Sequence, residues 1–273
     1  MTDEIRAEGP RGALPWIALA VALSAPIAML LRSLDEVPYP ASLLLAPMLA
    51  ARLRWVRPDC FDARAPQRGP GLALVGAGLA MALLGLLGDA WSVAWLGMPI
   101  ALVGMAMLTG AVSPAPVALA FWCVPIPTSL FYLTTPWAET FHARVAHWPI
   151  ALLTSRLAVG GPHVRFGVDD LDLTVLDGGL HALWVLGLVV FYAALFRREG
   201  VAWLLRAGAL LPFLAVATQL ALVAIAIGLL ATGAPLSGEN WLAWGGWMAI
   251  FAIGVVWAER VPDDPGRRSR PEG

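Results

Sequence analysis

Long apolar runs separated by short polar stretches dominate the chain. A bilayer hydrocarbon core about 30 Å thick requires about 20 apolar residues in helix. Eight runs approach that length: 14–31, 38–51, 71–88, 91–109, 116–134, 179–196, 207–230 and 241–258. The second is short and interrupted by Pro38, Pro40 and Pro47, so it reads as a crossing or as a re-entrant or tilted segment. The first does not read as a cleavable signal peptide: it lacks a small-residue cleavage site, and Arg32, Asp35 and Glu36 follow it. The pattern predicts an all-α integral membrane protein of about eight transmembrane helices, folded as a single polytopic domain over 1–273.

One connection breaks the rhythm. Residues 135–178 separate runs five and six, and loops of this length usually fold or function. Thr135-Pro136 is a helix start, a capping hydroxyl followed by Pro at the first helical position. Trp137, Phe141, Val145, Trp148, Leu152 and Leu153 then recur at three- and four-residue steps, with Glu139, His142, Arg144 and Arg156 mostly off the stripe. That predicts an amphipathic helix in the membrane interface, ended by Gly160-Gly161-Pro162. Alternation at Val164, Phe166 and Val168 and again at Leu171, Leu173 and Val175 predicts a small β-hairpin turning at Asp169-Asp170.

Composition sharpens the class. Of 273 residues, 59% are hydrophobic and 14% charged, with mean hydropathy +0.73. Soluble domains run about 45–50% apolar and about 25% charged. A disordered chain, a nucleic-acid-binding module and an ordinary cytosolic enzyme are excluded. All 18 basic residues are Arg. With eight crossings, 14 of them fall on one side and only Arg32, Arg144, Arg156 and Arg165 on the other. The positive-inside rule then places both termini in the cytoplasm of a bacterial inner membrane and the 135–178 loop outside. Trp16, Trp91, Trp122, Trp137, Trp203, Trp241 and Trp257 fall near run ends, as an aromatic belt requires. The tail 262–273 reads as a disordered cytoplasmic end or a patch for anionic lipid.

The order of these elements resembles the exosortase/archaeosortase family of membrane transpeptidases over roughly 116–230. The residues that carry the resemblance are Pro125-Ile126-Pro127, the amphipathic helix, Gly160-Gly161 with the hairpin, and the turn Val175-Leu176-Asp177-Gly178-Gly179-Leu180-His181-Ala182-Leu183. In that family the turn usually reads Ala-Cys-Ser-Gly-Leu-Arg, and its Cys is the nucleophile. A later Asn, followed three residues on by Arg, would fall on Gln219 and Leu222. Here Asp177 replaces the Cys, His181 the first Arg and Leu222 the second. A carboxylate is a poor acyl acceptor toward an amide, and oxyanion stabilisation is commonly the largest catalytic contribution. The resemblance therefore implies a degenerate member, a pseudoenzyme without the family's chemistry.

The remaining polar residues stay open between structural and functional readings. Asp177 and His181, four apart, read as a helix cap or as an acid/base or ligand-anchoring pair in the outer cleft. Gln219 hydrogen-bonds a neighbouring helix or lines that cleft. Glu139 and His142 suit a surface pair, and with Gln219 and His163 they are the candidate binding residues. His163 lies in the hairpin, and with His147 completes a set of four histidines without metal-ligand spacing. Asp169, Asp170 and Asp172 read as a solvated turn. Cys123 beside Trp122 reads as a structural thiol, and Cys60 as a free thiol in the Arg-rich second loop. No metal and no cofactor are expected.

Three functions follow as expectations. The first is a non-catalytic exosortase-like protein binding a membrane-anchored segment or a membrane-protein partner in an outer-face cleft. The second is an active peptidase or lipid-linked transferase with altered chemistry at Asp177/His181. The third is a structural or assembly subunit of a membrane complex. Membrane lipid is the expected surrounding, and nucleic acid is not an expected partner.

Overall fold

In the computed structural model, residues 13–32, 43–125, 157–160, 163–166, 169–172, 180–231 and 239–260 are described. The chain divides into two units, Met1–Ile126 and Pro127–Gly273.

The first unit opens with α1 (Leu14–Ala22) and α2 (Ser24–Arg32), which meet at a 49° bend. Leu19 and Leu23 from this pair enter the core with Ala82, Trp95, Met98, Ala101, Met105 and Val124. α3 (Leu45–Val56) follows. It buries Leu45, Ala46, Leu49 and Leu53 at three- and four-residue steps while Leu44, Met48 and Trp55 remain exposed. A short 3-10 turn at Pro58–Phe61 leads to α4 (Arg68–Leu87) and α5 (Trp91–Thr109). These two form the unit's main antiparallel pair.

Glycines explain how closely they pack. Gly71, Gly78 and Gly85 are seven apart on α4, as are Gly97 and Gly104 on α5. A Cβ added at Gly78 would sit 2.5 Å from Ala101 N and 2.6 Å from Gly97 O. One at Gly104 would sit 2.6 Å from Val75 N, and one at Gly71 2.6 Å from Leu108 N. The two backbones therefore touch along the whole seam. In lipid there is little hydrophobic drive between helices, and this kind of dispersion contact is what holds them.

α4 ends on a left-handed residue, Asp89 (φ 52), with Ala90 N–H donating to Gly85 O at 2.8 Å. Asp89 also accepts a hydrogen bond from Trp91 Nε1. α5 ends on Gly110 (φ 65), whose carbonyl accepts from Arg64 N–H at 3.0 Å, while Gln67 N–H donates to Met107 O at 2.7 Å. These bonds bring the start of α4 and the end of α5 to one end of the unit. α6 (Pro114–Val117) and a 3-10 turn, Ala118–Cys123, complete it.

In the second unit, β1 (Leu157–Gly160), β2 (His163–Phe166) and β3 (Asp169–Asp172) form an antiparallel sheet in sequence order. The register pairs His163 with Gly160 and Asp172, and Arg165 with Ala158 and Asp170. Three helices follow: α7 (Leu180–Arg197), α8 (Val201–Ala231) and α9 (Glu239–Arg260). α7 and α9 run the same way and α8 returns between them in sequence. Val185, Leu188, Val189 and Tyr192 of α7 are buried, as are Trp247, Phe251 and Ala258 of α9. Gly254 of α9 gives room for Val189, whose Cγ1 lies 2.6 Å from where a Cβ would stand.

The eight-span expectation is corrected. Among the described residues, three helices are long and apolar enough to cross a membrane: Arg68–Leu87, Trp91–Thr109 and Val201–Thr218. The bent pair α1–α2 raises this to four if it forms one broken span. The reasons are local. The run 38–51 yields a helix of only 12 residues that ends among Arg52, Arg54 and Arg57. The run 116–134 begins at Pro116, two residues after Pro114, and its described part holds only the short helices Pro114–Val117 and Ala118–Cys123. The 14-to-4 division of Arg presupposed eight crossings and does not survive them.

The two-stranded hairpin turning at Asp169-Asp170 is also corrected. Both aspartates lie inside β3, paired with Phe166 and Arg165. β2 stops at Phe166 and β3 starts at Asp169, so the turn precedes the two aspartates. Gly160 closes a strand and not a helix. The expected amphipathic helix over 137–153 and the tail 262–273 lie outside the described residues.

Candidate functional site

The residues singled out in sequence are not gathered into one described site. Asp177, Glu139 and His142 lie outside the described residues. His181 falls in the first turn of α7 and Gln219 within α8. His163 begins β2, opposite Gly160 and Asp172. Among the described residues no group of three or more His, Cys, Asp or Glu is placed to hold a metal ion.

The best-formed polar cluster lies at the other end of α7. Tyr192, 0% exposed, donates its hydroxyl to Glu259 Oε1 of α9 at 2.7 Å. One and a half turns further along, Arg197 donates from Nε to Ala258 O at 3.1 Å and from its NH2 nitrogen to Trp257 O at 2.9 Å. Its guanidinium also lies 4.0 Å from the centre of the Trp257 ring. The last four carbonyls of a helix have no partner within it, and a cation there is favoured by the helix dipole. Arg197 fulfils both needs for α9. The chain then turns at Arg198 (φ 55), with Glu199 N–H on Ala194 O at 2.8 Å, and starts α8. This cluster ties helix ends together and contains no nucleophile. Sequence reasoning missed it because Tyr192 and Glu259 are 67 positions apart. The available signal was a phenol and a guanidinium on an otherwise apolar helix.

A second polar region lies at the Arg-rich end of the first unit. Arg54 donates to Pro58 O at 3.3 Å and stands 5.7 Å from the Phe61 ring centre. Arg57 pairs with Asp59 at 3.3 Å. Cys60 sits among them. Burial raises its thiol pKa first and most, Arg57 and Arg64 oppose that, and Asp62 adds to it. A thiol with a raised pKa is a weak nucleophile at neutral pH. Cys123, partly buried, closes the 3-10 turn after α6. Two buried polar atoms of this unit, Trp95 Nε1 and Ser113 Oγ, have no hydrogen-bond partner among the described residues. Each costs about 1–3 kcal/mol when left dry.

No family model, no curated protein and no solved structure matches the chain. The long apolar helices support association with a membrane. Function has to be argued from the molecule's own surfaces.

Proposed function

We propose that the chain is a multi-pass protein of a bacterial inner membrane that holds a membrane-anchored segment of another protein without cutting it. The observation that carries this reading is α8. Only 6% of its Val201–Thr218 stretch is buried, against 50% for α5. Val201, Leu205, Leu210, Phe213 and Leu214 all stand exposed on it. An apolar surface this open is covered in a bilayer by lipid or by another helix, and a partner helix would find the aromatic and branched side chains that interfaces use. Asp177 and His181, where the resembled transpeptidases carry Cys and Arg, support binding over acyl transfer.

The Arg-rich end of the α4–α5 pair is read as the cytoplasmic end of the first unit. Arg54, Arg57, Arg64 and Arg68 border the shared end of α4 and α5, whose far end carries only Asp89.

Co-purification from native membranes, with intact masses of every captured protein, tests the reading alongside Asp177→Ala and His181→Ala. Loss of a full-length partner at normal expression supports it. Loss of a processed partner terminus would instead assign altered chemistry to these residues. If neither change alters the captured proteins or their termini, both readings fail and an assembly subunit remains.

A further inference from the structure

The first unit carries its charges at its two ends. Between Gly69 and Ala138 the only charged residue is Asp89. α4 has 20 residues, hence is about 30 Å long, the thickness of a bilayer core. Its Arg68 end and its Asp89/Trp91 end therefore stand at opposite interfaces. At the Arg68 end the backbone bonds from Arg64 to Gly110 and from Gln67 to Met107 pin the 62–67 connection against the end of α5. Arg52 and Arg54 in the last turns of α3, and Arg57, Arg64 and Arg68 beyond it, flank this connection. Arg57 pairs with Asp59 at 3.3 Å on the short turn between α3 and α4. Asp59, paired with Arg57, and Asp62 leave the stretch 52–68 with five positive and two negative charges.

α3 adds the hydrophobic half. It is too short to cross, one face is in the core, and Leu44, Met48 and Trp55 form the other. Trp55 is 85% exposed and sits between Arg54 and the turn. An apolar face that ends in an exposed indole and several guanidinium groups, at headgroup depth, fits a lipid with acyl chains and an anionic head. We propose that α3 and the Arg54, Arg64 and Arg68 side chains form a binding site for an anionic phospholipid, with acyl chains along Leu44 and Met48 and the headgroup among the arginines. This site lies in a different unit from α8 and does not depend on the partner proposed there.

The test is native mass spectrometry of the full-length protein in detergent, supplied with phosphatidylglycerol or with phosphatidylcholine. Each Arg near an anionic headgroup contributes about fivefold in affinity. Wild type should retain phosphatidylglycerol in preference. The combined Arg54→Gln, Arg64→Gln, Arg68→Gln variant should lose at least about tenfold of that preference after screening. Arg260→Gln, in the other unit, should not change it. On wild type alone, the preference should fall as salt rises. Equal retention of the two lipids, salt-independent preference, an unchanged preference in a folded triple variant, or displacement of the lipid by free glycerol phosphate would each overturn the proposal.

Discussion

Replacing Gly78 by Ala adds one methyl group where α4 and α5 touch. Its Cβ would meet Ala101 N at 2.5 Å, Gly97 O at 2.6 Å and Ala101 Cβ at 2.8 Å. Ordinary contact begins near 3.4 Å, so the shortfall is about 0.9 Å and two of the three atoms are backbone. No side-chain rotation relieves that. The helices must separate, and a gap of 0.5–1 Å forfeits roughly a quarter to a half of each dispersion contact along the seam. Overpacking of this kind costs about 1–3 kcal/mol. Gly76→Ala is the matched control: same helix, same change, and nothing within 4 Å of the new Cβ. Losing a helical glycine there should gain up to about 1 kcal/mol. Thermal unfolding in one detergent should therefore rank Gly76→Ala at or above wild type and Gly78→Ala several degrees below it. Adding Gly97→Ala to Gly78→Ala should cost less than it does alone, because the seam is already open. Equal melting of Gly76→Ala and Gly78→Ala would refute the close approach.

Other consequences are as direct. Tyr192→Phe should destabilise by about 1.5–3 kcal/mol, since it removes a hydrogen bond to a carboxylate, and much less in a Glu259→Gln background; a double-mutant cycle on melting reads this coupling. Arg198→Gly should raise the melting temperature, because an L-residue at φ 55 costs about 1–2 kcal/mol that glycine does not, whereas Gly110→Ala at φ 65 should lower it. Burial raises the Cys60 pKa, so maleimide labelling should reach half its maximal rate at a higher pH than a free peptide thiol. Arg57→Gln, which removes an opposing cation, should move that midpoint higher, and Asp62→Asn should move it lower.

The sequence carries the helices better than their arrangement. The runs 71–88 and 91–109 overlap α4 and α5 because about twenty apolar residues leave few alternatives, with Pro70 in the first turn of α4, where its missing N–H costs nothing, and Pro99 inside α5 tolerated. The run 14–31 conceals a bend at Leu23, three residues before Pro26, and continuous hydropathy does not report it. α3 was misplaced because its helical face is set by burial against neighbours and its end extends into arginines that look like a loop. A slip by an even number of residues keeps the same strand faces, so alternation alone does not distinguish the pairing of Val164 with Leu171 from one displaced along the chain. The seven-residue spacing of Gly71, Gly78 and Gly85 was legible in principle as a packing seam. The Tyr192–Glu259 clasp was not, since no local pattern joins residues on two separate helices. Of the candidate site residues, Asp177, Glu139 and His142 fall outside the described structure, and His163, His181 and Gln219 lie on separate elements.

The central claim is that the open face of α8 receives a membrane segment of another protein. A photoreactive amino acid at Phe213, activated in native membranes, tests it most directly, with Leu84 on the exposed face of α4 as the comparison. A discrete protein adduct is expected from Phe213, linked through an apolar segment of a partner with both termini intact, and none from Leu84. Lipid adducts alone at Phe213, or a captured partner already cleaved, would contradict it.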